Sequence, residues 1–456
     1  MSENLAYSDA INYIMSALPM FQRVGKAAYK ANLDNTVRLL DHLGNPQKNF
    51  RSVHIAGTNG KGSVSHFLAS VFQEAGYKTG LYTSPHLTDF RERIKINGAM
   101  IEKSYVARFI SQHRDFLEKL KPSFFEMSVG LCFQYFSERN IDVAIIETGM
   151  GGRLDSTNII TPDLSVITNI GFDHTQFLGD SLEKIAAEKA GIIKPGVSVV
   201  IGETQKETVK VFTSAAKKNR SEISFADKEL FASVESHTLV PPCLTLRTGF
   251  DDAEHLFSTP LAGSYQIKNV RTALVSLIQL RKAGYKLHLQ AIRQGLANVI
   301  ENTGLRGRWM VFGEHPAVIM DTGHNAAGLT EISQMLKSLS YSRLHMVIGM
   351  VDDKDHIEML KLLPQNARYY LCTPSVPRGF DSKKLLEKAN QARLDANAFD
   401  TVEEAYKAAR KTSKPNDIIF IGGSTFTVAD ALLLKEFSLA KTNKSKSDNS
   451  QMELKF

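Results

Sequence analysis

The sequence predicts an α/β protein whose domains are built on mostly parallel sheets. Short apolar runs alternate with amphipathic helical segments from residue 50 onward, which is typical of a parallel sheet covered by helices on both faces. A glycine-rich turn at 57–63 stands between a predicted strand and a predicted helix. The alternation ends near residue 300 and then restarts. These three observations indicate two successive α/β domains.

Composition and charge narrow the class of protein. The chain has 456 residues, of which 43% are hydrophobic and 23% charged, as in globular proteins with more than one domain. No apolar run approaches the ~18 residues of a membrane span, and no signal peptide is recognisable, so we expect a cytoplasmic protein. The net charge of +7 is spread along the chain, which favours a small anionic substrate and no nucleic-acid or membrane partner.

The cysteines are few and scattered. Cys132, Cys243 and Cys372 are far apart in the sequence and have no partners at metal-ligand spacing. We therefore expect three buried thiols in a reducing compartment, with neither zinc nor disulfides. The basic and polar residues 441–456 are expected to form a disordered tail.

The first predicted strand and helix flank the sequence HIAGTNGKGS at 54–63. Its glycines allow backbone N–H groups to approach an anion, Lys61 adds a positive charge, and the Ser63 hydroxyl can bind magnesium. Although Gly62 separates the lysine from the serine, unlike in the usual motif, the stretch predicts a phosphate-binding P-loop; the alternative is an ordinary strand-to-helix turn. The candidate phosphate-binding residues are Gly57, Thr58, Asn59, Gly60, Lys61, Gly62 and Ser63.

Three later strands are predicted between residues 79 and 168. The carboxyl ends of parallel strands lie along one edge of a sheet, and Ser84, Glu147 and His174 follow these ends. A hydroxyl, a carboxylate and an imidazole on the edge that holds the P-loop predict a magnesium–nucleotide site. Each has a simpler alternative, as a turn residue, a helix-capping acid and a capping or core histidine respectively.

A second glycine-rich loop, at 149–158, directly follows Glu147. Its glycines would let a substrate approach the backbone, while Asp155 and Ser156 hydrogen-bond a heterocycle or an amine. The alternative is a structural turn.

Lys189 follows Leu182, Ile185 and Ala186 on the same face of a predicted helix. A lysine on an apolar stripe has two interpretations. Its stem can be buried while the amine reaches solvent, which the sequence alone favours. Alternatively, the amine is buried, has a lowered pKa, and reacts with carbon dioxide to give a carbamate that binds a second cation.

The second half of the chain repeats the α/β pattern. Strands are predicted at 317–320, 344–348, 368–372 and 418–421, with helices between them, as in a smaller doubly wound domain. Residues 221–260 instead alternate apolar and turn residues, which predicts a small antiparallel insertion.

Polar residues near the domain junction are further candidates. Asp321 and His324 follow a predicted strand, where they could meet the sugar or phosphate of a nucleotide. Arg306 and Arg308 could reach phosphates or be solvated linker charges. Asn269 opens a predicted helix with one apolar face and could hydrogen-bond a nucleotide.

These elements predict three segments. Residues 1–300 form a P-loop-containing, parallel-sheet ATPase domain, 301–440 a smaller Rossmann-like α/β domain, and 441–456 the tail.

Several further motifs occur in order along the chain. They are Phe21-Gln22-Arg23, Ala28-Tyr29-Lys30, Thr83-Ser84-Pro85-His86-Leu87, Phe124-Phe125-Glu126, Asp173-His174, Glu188-Lys189-Ala190-Gly191, Asp321-Thr322-Gly323-His324-Asn325 and Asp353-Lys354-Asp355. Together with the P-loop and the glycine-rich loop, they resemble the folylpolyglutamate synthase/dihydrofolate synthase family of the Mur-ligase superfamily over nearly the whole chain.

The resemblance implies roles for individual residues. It implies two magnesium ions and a carbamylated Lys189, with Lys61, Lys189 and His174 as the catalytic residues. The implied metal ligands are Ser63, Ser84, Glu147, His174 and Lys189. The implied contacts to ATP are those of the P-loop with Asn269, Arg308, Asp321 and His324. The implied contacts to a pterin-containing substrate are Phe124, Phe125, Glu126, Leu154, Asp155 and Ser156.

The implied activity is ATP-dependent amide formation between L-glutamate and the carboxylate of dihydropteroate or a folate, through an acyl phosphate, by a bifunctional and monomeric enzyme. Three alternative functions remain open. A peptidoglycan Mur ligase acting on a UDP-sugar should carry a further N-terminal domain, for which little sequence precedes Gly57. A P-loop switch or kinase would not need the second domain, and a nucleic-acid-binding module would need a concentrated basic surface.

Overall fold

The structure is a computed structural model, and it describes most of the chain. The described residues are 6–18, 32–352 and 355–437. The motifs at 21–23 and 28–30, residues 353–354 of a later motif, and the predicted tail at 441–456 lie outside them.

The chain divides into two compact units between Arg306 and Gly307. The boundary expected from the sequence, after residue 300, falls inside a short helix, Val299–Thr303, whose residue Val299 packs in the core of the first unit. The structural division therefore comes a little later in the chain than that expected boundary.

A large sheet forms the centre of the first unit. Its strands are β1 (Arg51–Ala56), β2 (Thr79–Tyr82), β3 (Ile94–Ile96), β4 (Ala99–Met100), β5 (Val143–Glu147), β6 (Leu164–Ile167), β7 (Val199–Ile201) and β8 (Ile223–Phe225). Their order is β4-β3-β2-β5-β1-β6-β7-β8. The neighbours from β2 to β8 are parallel, whereas β3 and β4 form an antiparallel edge. The prediction of a mainly parallel sheet is confirmed.

Helices cover both faces of this sheet. Along β5, Val143 and Ile145 enter one buried cluster, while Ala144 and Ile146 enter another. Because both faces are apolar, the strands read as continuous apolar runs in the sequence. The helices are α1 (Tyr7–Ala17), α2 (Asp34–His42), α3 (Lys61–Glu74), α4 (Lys103–Leu120), α5 (Phe124–Glu138), α6 (Thr175–Leu178), α7 (Leu182–Ala190), α8 (Val209–Asn219), α9 (Ala226–Glu229), α10 (Gln266–Lys282), α11 (Leu289–Ala297) and α12 (Val299–Thr303).

A small antiparallel sheet follows α9. It consists of β9 (Ala232–Thr238), β10 (Cys243–Phe250) and β11 (Ala253–Thr259), and it packs Leu244 and Phe257 onto the main core. The predicted insertion at 221–260 is therefore present, but its first residues, as β8, belong to the large sheet because they pair in parallel with β7.

The second unit has its own sheet. Its strands are β12 (Met310–Phe312), β13 (Ala317–Met320), β14 (Leu344–Gly349), β15 (Arg368–Cys372), β16 (Asp395–Phe399) and β17 (Ile418–Gly422), in the order β12-β13-β17-β14-β15-β16. All neighbours are parallel except β12 and β13. The helices are α13 (Ala326–Ser338), α14 (His356–Lys361), α15 (Ser382–Gln391), α16 (Val402–Thr412) and α17 (Thr425–Leu432). The predicted doubly wound architecture is confirmed.

The cysteine prediction needs one correction. Cys132 and Cys372 are buried free thiols, as expected, but Cys243 is only partly buried because it opens β10 in the small sheet. No helix in the described part of the chain is long and apolar enough to cross a membrane.

Candidate active site

The P-loop lies between β1 and α3, and two of its glycines, Gly57 and Gly60, have positive φ angles that favour glycine. Gly60 has φ +84°, and a Cβ there would lie 2.2 Å from Asn269 Oδ1. Gly57 has φ +149°, and a Cβ there would lie 1.9 Å from Thr168 Oγ1. The backbone therefore approaches its neighbours more closely than a side chain would permit.

The segment after β6 holds the P-loop in place. The backbone N–H groups of Thr58 and Asn59 donate to the carbonyl and side-chain oxygens of Asn169, at 2.9 and 2.8 Å. The Thr168 hydroxyl donates to the Asn59 carbonyl oxygen at 2.6 Å. These partners were not predicted, because they reach the P-loop through packing between strands rather than through a motif.

Lys61 folds back onto its own loop. Its Nζ donates to the carbonyl oxygens of Gly57 and Thr58, both at 3.1 Å. The nearby Ser63 hydroxyl is buried and accepts a hydrogen bond from Gln266 Nε2 at 3.2 Å. The cation and the hydroxyl predicted for phosphate and magnesium therefore both lie at the start of α3.

Two amides from the first turn of α10 face the P-loop. Asn269 Nδ2 donates to Gln266 Oε1 at 2.8 Å, which orients both side chains. Asn269 Oδ1 lies against Gly60, only 2.2 Å from the place that a Cβ would occupy there. The structure thus brings Asn269 to the predicted loop and adds Gln266, which the sequence did not single out.

Lys189 is buried beside the same loop. Its side chain is 3% exposed, and its Nζ donates to the Gly57 carbonyl oxygen at 2.9 Å. Burial and the neighbouring charge of Lys61 lower the pKa of Lys189 to about 7. The interpretation of an amine that reaches solvent is wrong for this lysine because the amine is buried, whereas its carbamylation stays a prediction.

Glu147 and Ser84 lie together at the carboxyl edge of the sheet. Glu147 is the last residue of β5 and is 3% exposed, and one of its carboxylate oxygens, Oε2, accepts the backbone N–H of Ser84 at 3.2 Å. His174 lies in the loop after β6, where it has a left-handed φ of 50° and precedes α6. Its Nε2 is 3.9 Å from Asp173 Oδ2. Asp173 also stabilises the charged form of Lys189, which places this loop near the lysine.

Asp155 fixes the second glycine-rich loop. Its Oδ2 accepts the backbone N–H groups of Gly149 and Met150, at 2.8 and 2.9 Å. Its Oδ1 accepts from the backbone and hydroxyl of Thr157, at 3.0 and 2.6 Å. The Thr157 hydroxyl also contacts His54 Nε2 at 2.8 Å. The carboxylate is therefore engaged by its own loop.

The start of α5 meets this loop. Ser123 and Glu126 cap the helix reciprocally, with Ser123 N–H to Glu126 Oε2 at 2.6 Å and Glu126 N–H to Ser123 Oγ at 3.2 Å. The ring of Phe125 would lie 2.6 Å from a Cβ at Gly149, so this ring packs directly on the loop backbone. Glu126, predicted as a substrate contact, is thus a buried capping residue here.

A buried arginine supports the neighbouring Phe124. Arg93 lies 5.0 Å from the Phe124 ring centroid, and its Nε donates to His86 Nδ1 at 2.8 Å. Burial and the adjacent Arg93 lower the pKa of His86 to about 3. His86 belongs to a motif that the sequence singled out, but neither its partner nor its environment was predicted.

Arg306 is an ion-pair partner within the first unit. Its Nη2 donates to Thr88 Oγ1 at 2.8 Å and to Glu92 Oε1, while Glu92 Oε2 accepts the Leu87 N–H at 2.8 Å. The interpretation of Arg306 as a solvated linker charge is therefore wrong, because its side chain is only 18% exposed and is held by Glu92.

The candidates of the second unit form one cluster. Both carboxylate oxygens of Asp321 accept backbone N–H groups, from Gly323 at 2.8 Å and Trp309 at 2.9 Å. Arg308 donates to the hydroxyl of Thr322, whose carbonyl oxygen lies 3.0 Å from His324 Nδ1. Arg308, Asp321 and His324 are thus held together by the segment 321–324.

Two families of known domains match the chain. Residues 55–277 match the Mur ligase middle domain, and residues 307–425 match the Mur ligase glutamate ligase domain. Each matched range lies within one of the two compact units of the fold.

Similar proteins occur in several organisms. The dihydrofolate synthase/folylpolyglutamate synthase of Bacillus subtilis is 32% identical, over 93% of this chain and 98% of its own. A probable bifunctional folylpolyglutamate synthase/dihydropteroate synthase of Haloferax volcanii is 33% identical over 94% of this chain, which spans only 50% of that longer protein.

Solved structures agree with these relatives. The Escherichia coli enzyme FolC, in complex with DHPP and ADP, has a TM-score of 0.82 and 28% identity, with 96% of this chain and 98% of that chain covered. The bifunctional enzyme of Yersinia pestis, complexed with AMPPNP and a Mn ion, has a TM-score of 0.80 and 26% identity, with 94% and 97% covered.

Proposed function

The chain belongs to the folylpolyglutamate synthase/dihydrofolate synthase family of Mur ligases, and we propose that it joins L-glutamate to the carboxylate of dihydropteroate or a reduced folate. As a member of this family it is an ATP-dependent acid–amino-acid ligase. The convergence of Lys61 and Lys189 on the Gly57 carbonyl oxygen supports the proposal most directly. Phosphoryl transfer is catalysed mainly by charges that are already in position. In this site two lysine amines are held in position by hydrogen bonds to the P-loop backbone.

The reaction has two steps. An oxygen of the substrate carboxylate bonds to the γ-phosphorus of ATP while the bond from that phosphorus to the β–γ bridging oxygen breaks, giving an acyl phosphate and ADP. The amino nitrogen of glutamate then bonds to the acyl carbon, the phosphate leaves, and the nitrogen loses a proton. Lys61 would exchange its loop carbonyls for the γ-phosphoryl oxygens and stabilise the charge that develops there.

The oxygen atoms at the carboxyl edge fit a hard divalent cation. Glu147 offers a buried carboxylate, and Ser63 and Ser84 offer hydroxyls, which are the donors that magnesium prefers. We propose that these residues hold one magnesium ion and that His174 and Lys189 help to hold a second. Magnesium, when bound, neutralises the charge of the transferring phosphoryl group.

Lys189 suits carbamylation better than an ordinary lysine. With its pKa near 7, a substantial fraction of the amine is neutral at physiological pH and can bond to the carbon of carbon dioxide, losing a proton. The product is a carbamate, which converts a buried nitrogen into a carboxylate-like metal ligand. We propose that this modification completes the second metal site.

The pterin-containing part of the substrate would lie at the start of α5 and the second glycine-rich loop. Phe125 packs on this loop, and Asp155 holds the loop rigid through its own hydrogen bonds. The remaining residues proposed for this contact are Phe124, Glu126, Leu154 and Ser156.

We further propose that Asn269, Arg308, Asp321 and His324 contact ATP together with the P-loop, and that the enzyme is a monomer. Their side chains are oriented by hydrogen bonds within their own units, so that their polar groups are in place before ATP binds.

One assay tests the proposed function. Purified protein with magnesium, ATP and labelled glutamate is offered dihydropteroate and tetrahydrofolate in separate reactions, and the products are resolved by mass. We expect a mass increase of one or more glutamate residues with at least one acceptor, together with ADP formation. Absence of labelled product with both acceptors would refute the folate ligase.

A further inference from the structure

The loop after β2 carries an imidazole that the two-step mechanism does not use. His86 lies two residues beyond Ser84 and is partly exposed. Arg93 Nε donates to its Nδ1 at 2.8 Å. Because a guanidinium N–H can only donate, Nδ1 must be the acceptor, and the ring proton must reside on Nε2. The hydrogen bond therefore fixes the tautomer of His86.

Arg93 is an unusual partner for an imidazole. Its side chain is 3% exposed, and a buried guanidinium is ordinarily matched directly by carboxylate oxygens. Here Tyr82, Glu147 and Glu92 stabilise the charged form of Arg93 as neighbours, and the Phe124 ring lies against the guanidinium at 5.0 Å. The Nε donor is nevertheless used on His86, which orients that ring rigidly.

The ring of His86 belongs to the aromatic group around Phe124. Its centroid is 6.3 Å from that of Phe90, and Phe90 lies 5.7 Å from Phe124, both in edge-to-face geometry. Within the described residues, no hydrogen bond from His86 Nε2 to an acceptor is found. The partly exposed His86 thus presents an N–H donor of fixed direction beside the aromatic residues of the proposed substrate site.

We propose that His86 is a substrate-binding residue whose Nε2–H donates a hydrogen bond to an acceptor atom of the heterocyclic acid, and that Arg93 is the positioning residue that fixes this donor. The inference rests on the proposed ligase function. The His86 ring is neutral and adds no charge to a site that already holds two lysines. It would therefore recognise an acceptor atom through the direction of its N–H group rather than by attraction to an anion.

Two conservative variants separate this role from a structural one. In His86→Gln, the side-chain amide can place a donor near the position of Nε2, but the acceptor for Arg93 is lost. In His86→Asn, the amide oxygen can still accept from Arg93, but no donor reaches the Nε2 position. We expect His86→Asn to raise the KM for the acid substrate about tenfold, with the KM for ATP unchanged, and His86→Gln to remain within about threefold of the wild type.

The opposite order would overturn the proposal. If His86 only holds Arg93 in place, His86→Asn should resemble the wild type and His86→Gln should be impaired for all substrates. Asn and Gln variants of His237, an exposed residue of β9, control for the loss of a histidine and should leave both KM values unchanged.

A spectroscopic measurement on the wild type keeps the test independent of whether the variants fold. Histidine 15N spectra should show His86 with a protonated Nε2, and this signal should shift on addition of dihydropteroate but not of AMPPNP alone. The proposal is refuted if the His86 signal does not shift when dihydropteroate is added, or if it shows a protonated Nδ1. Failure of the proposed function is recognised separately, because the wild type would then form no glutamylated product at all.

Discussion

At the scale of single residues, one backbone carbonyl oxygen accepts hydrogen bonds from two lysine side chains. The Gly57 carbonyl accepts from Lys61 Nζ at 3.1 Å and from Lys189 Nζ at 2.9 Å. Burial is the main cause of the lowered pKa of Lys189, and repulsion by the nearby charge of Lys61 adds to it. The P-loop therefore prepares Lys189 for chemistry that an exposed lysine could not perform at neutral pH.

Replacing Lys189 with alanine should remove ligase activity but leave a cavity that an added carboxylate can fill. We expect Lys189→Ala to lose activity by roughly two orders of magnitude or more and to regain part of it with millimolar acetate or formate. Steady-state assays across a carboxylate series check this. Lys184→Ala, on the exposed face of the same helix, should stay active and ignore the added acids. Full activity of Lys189→Ala without any additive would exclude the carbamate.

The lowered pKa of Lys189 also predicts how stability varies with pH. The unfolded chain binds a proton at this lysine below its ordinary pKa of 10.5, whereas the folded chain does so only below about 7. The free energy of unfolding is therefore reduced as the pH falls from 10.5 to 7, by a few kcal/mol in order of magnitude, and is constant below that range.

Lys189→Met removes this term. In buffers free of carbon dioxide, its stability relative to the wild type should be highest below pH 7 and should decline as the pH rises toward 10.5. Denaturant unfolding at several pH values measures the difference. The matched variant Lys184→Met, at an exposed lysine, should not show that trend. A flat difference for Lys189→Met would mean that its amine is protonated normally.

At the scale of elements, the P-loop depends on two neighbouring segments that hold it in place. The segment after β6 binds it through Thr168 and Asn169, and α10 closes on Gly60 through Asn269. The loop is therefore shaped before a nucleotide arrives, and its glycines serve close packing as well as backbone conformation.

Gly60 and Gly76 separate these two contributions. Their φ angles are +84° and +85°, but a Cβ at Gly60 would meet Asn269 Oδ1 at 2.2 Å, whereas one at Gly76 would have no neighbour within 4 Å. Both alanine variants should lose about 1 kcal/mol of stability from backbone strain. Only Gly60→Ala should also weaken nucleotide binding, by tenfold or more in calorimetric titration with AMPPNP. Equal nucleotide affinities for the two variants would show that the contact with Asn269 is unimportant.

The strands that the sequence predicted are those with two buried faces, because they leave continuous apolar runs. β12 and β16 escaped prediction since Met310–Phe312 and Asp395–Phe399 are edge strands that are mostly half-buried or exposed. The site shows the same division. Lys61, Glu147 and Lys189 stand next to a motif or on an apolar stripe, but Asn169, Gln266 and Arg93 reach the site only through tertiary packing, which no local pattern records.

At the scale of the whole molecule, ligand binding and folding are linked. A ligand that binds only the folded protein stabilises it by about 2.7 kcal/mol at a concentration one hundred times its dissociation constant. The proposed metal ligands Ser84 and Glu147 lie at the carboxyl ends of neighbouring strands, so that an ion held by both would join β2 and β5 at the sheet edge.

Metal removal should therefore weaken the whole protein as well as its activity. We expect a chelator to abolish ligation, added magnesium or manganese to restore it, and AMPPNP to raise the melting temperature more with the metal than without. Glu147→Gln should require a higher magnesium concentration for half-maximal activity, whereas Glu222→Gln, at an exposed position, should not. Unchanged activity after exhaustive chelation would show that no metal is needed and would contradict the proposed role of Glu147 as a metal ligand.

The small antiparallel sheet has a practical consequence for observing this protein at work. All three cysteines lie in described residues, and burial raises the pKa of Cys132 and Cys372, which makes those thiols unreactive. Cys243, at the start of β10, is the partly accessible one. A maleimide dye should therefore attach at a single place on the unaltered chain. The dye would then mark the small antiparallel sheet without an engineered cysteine.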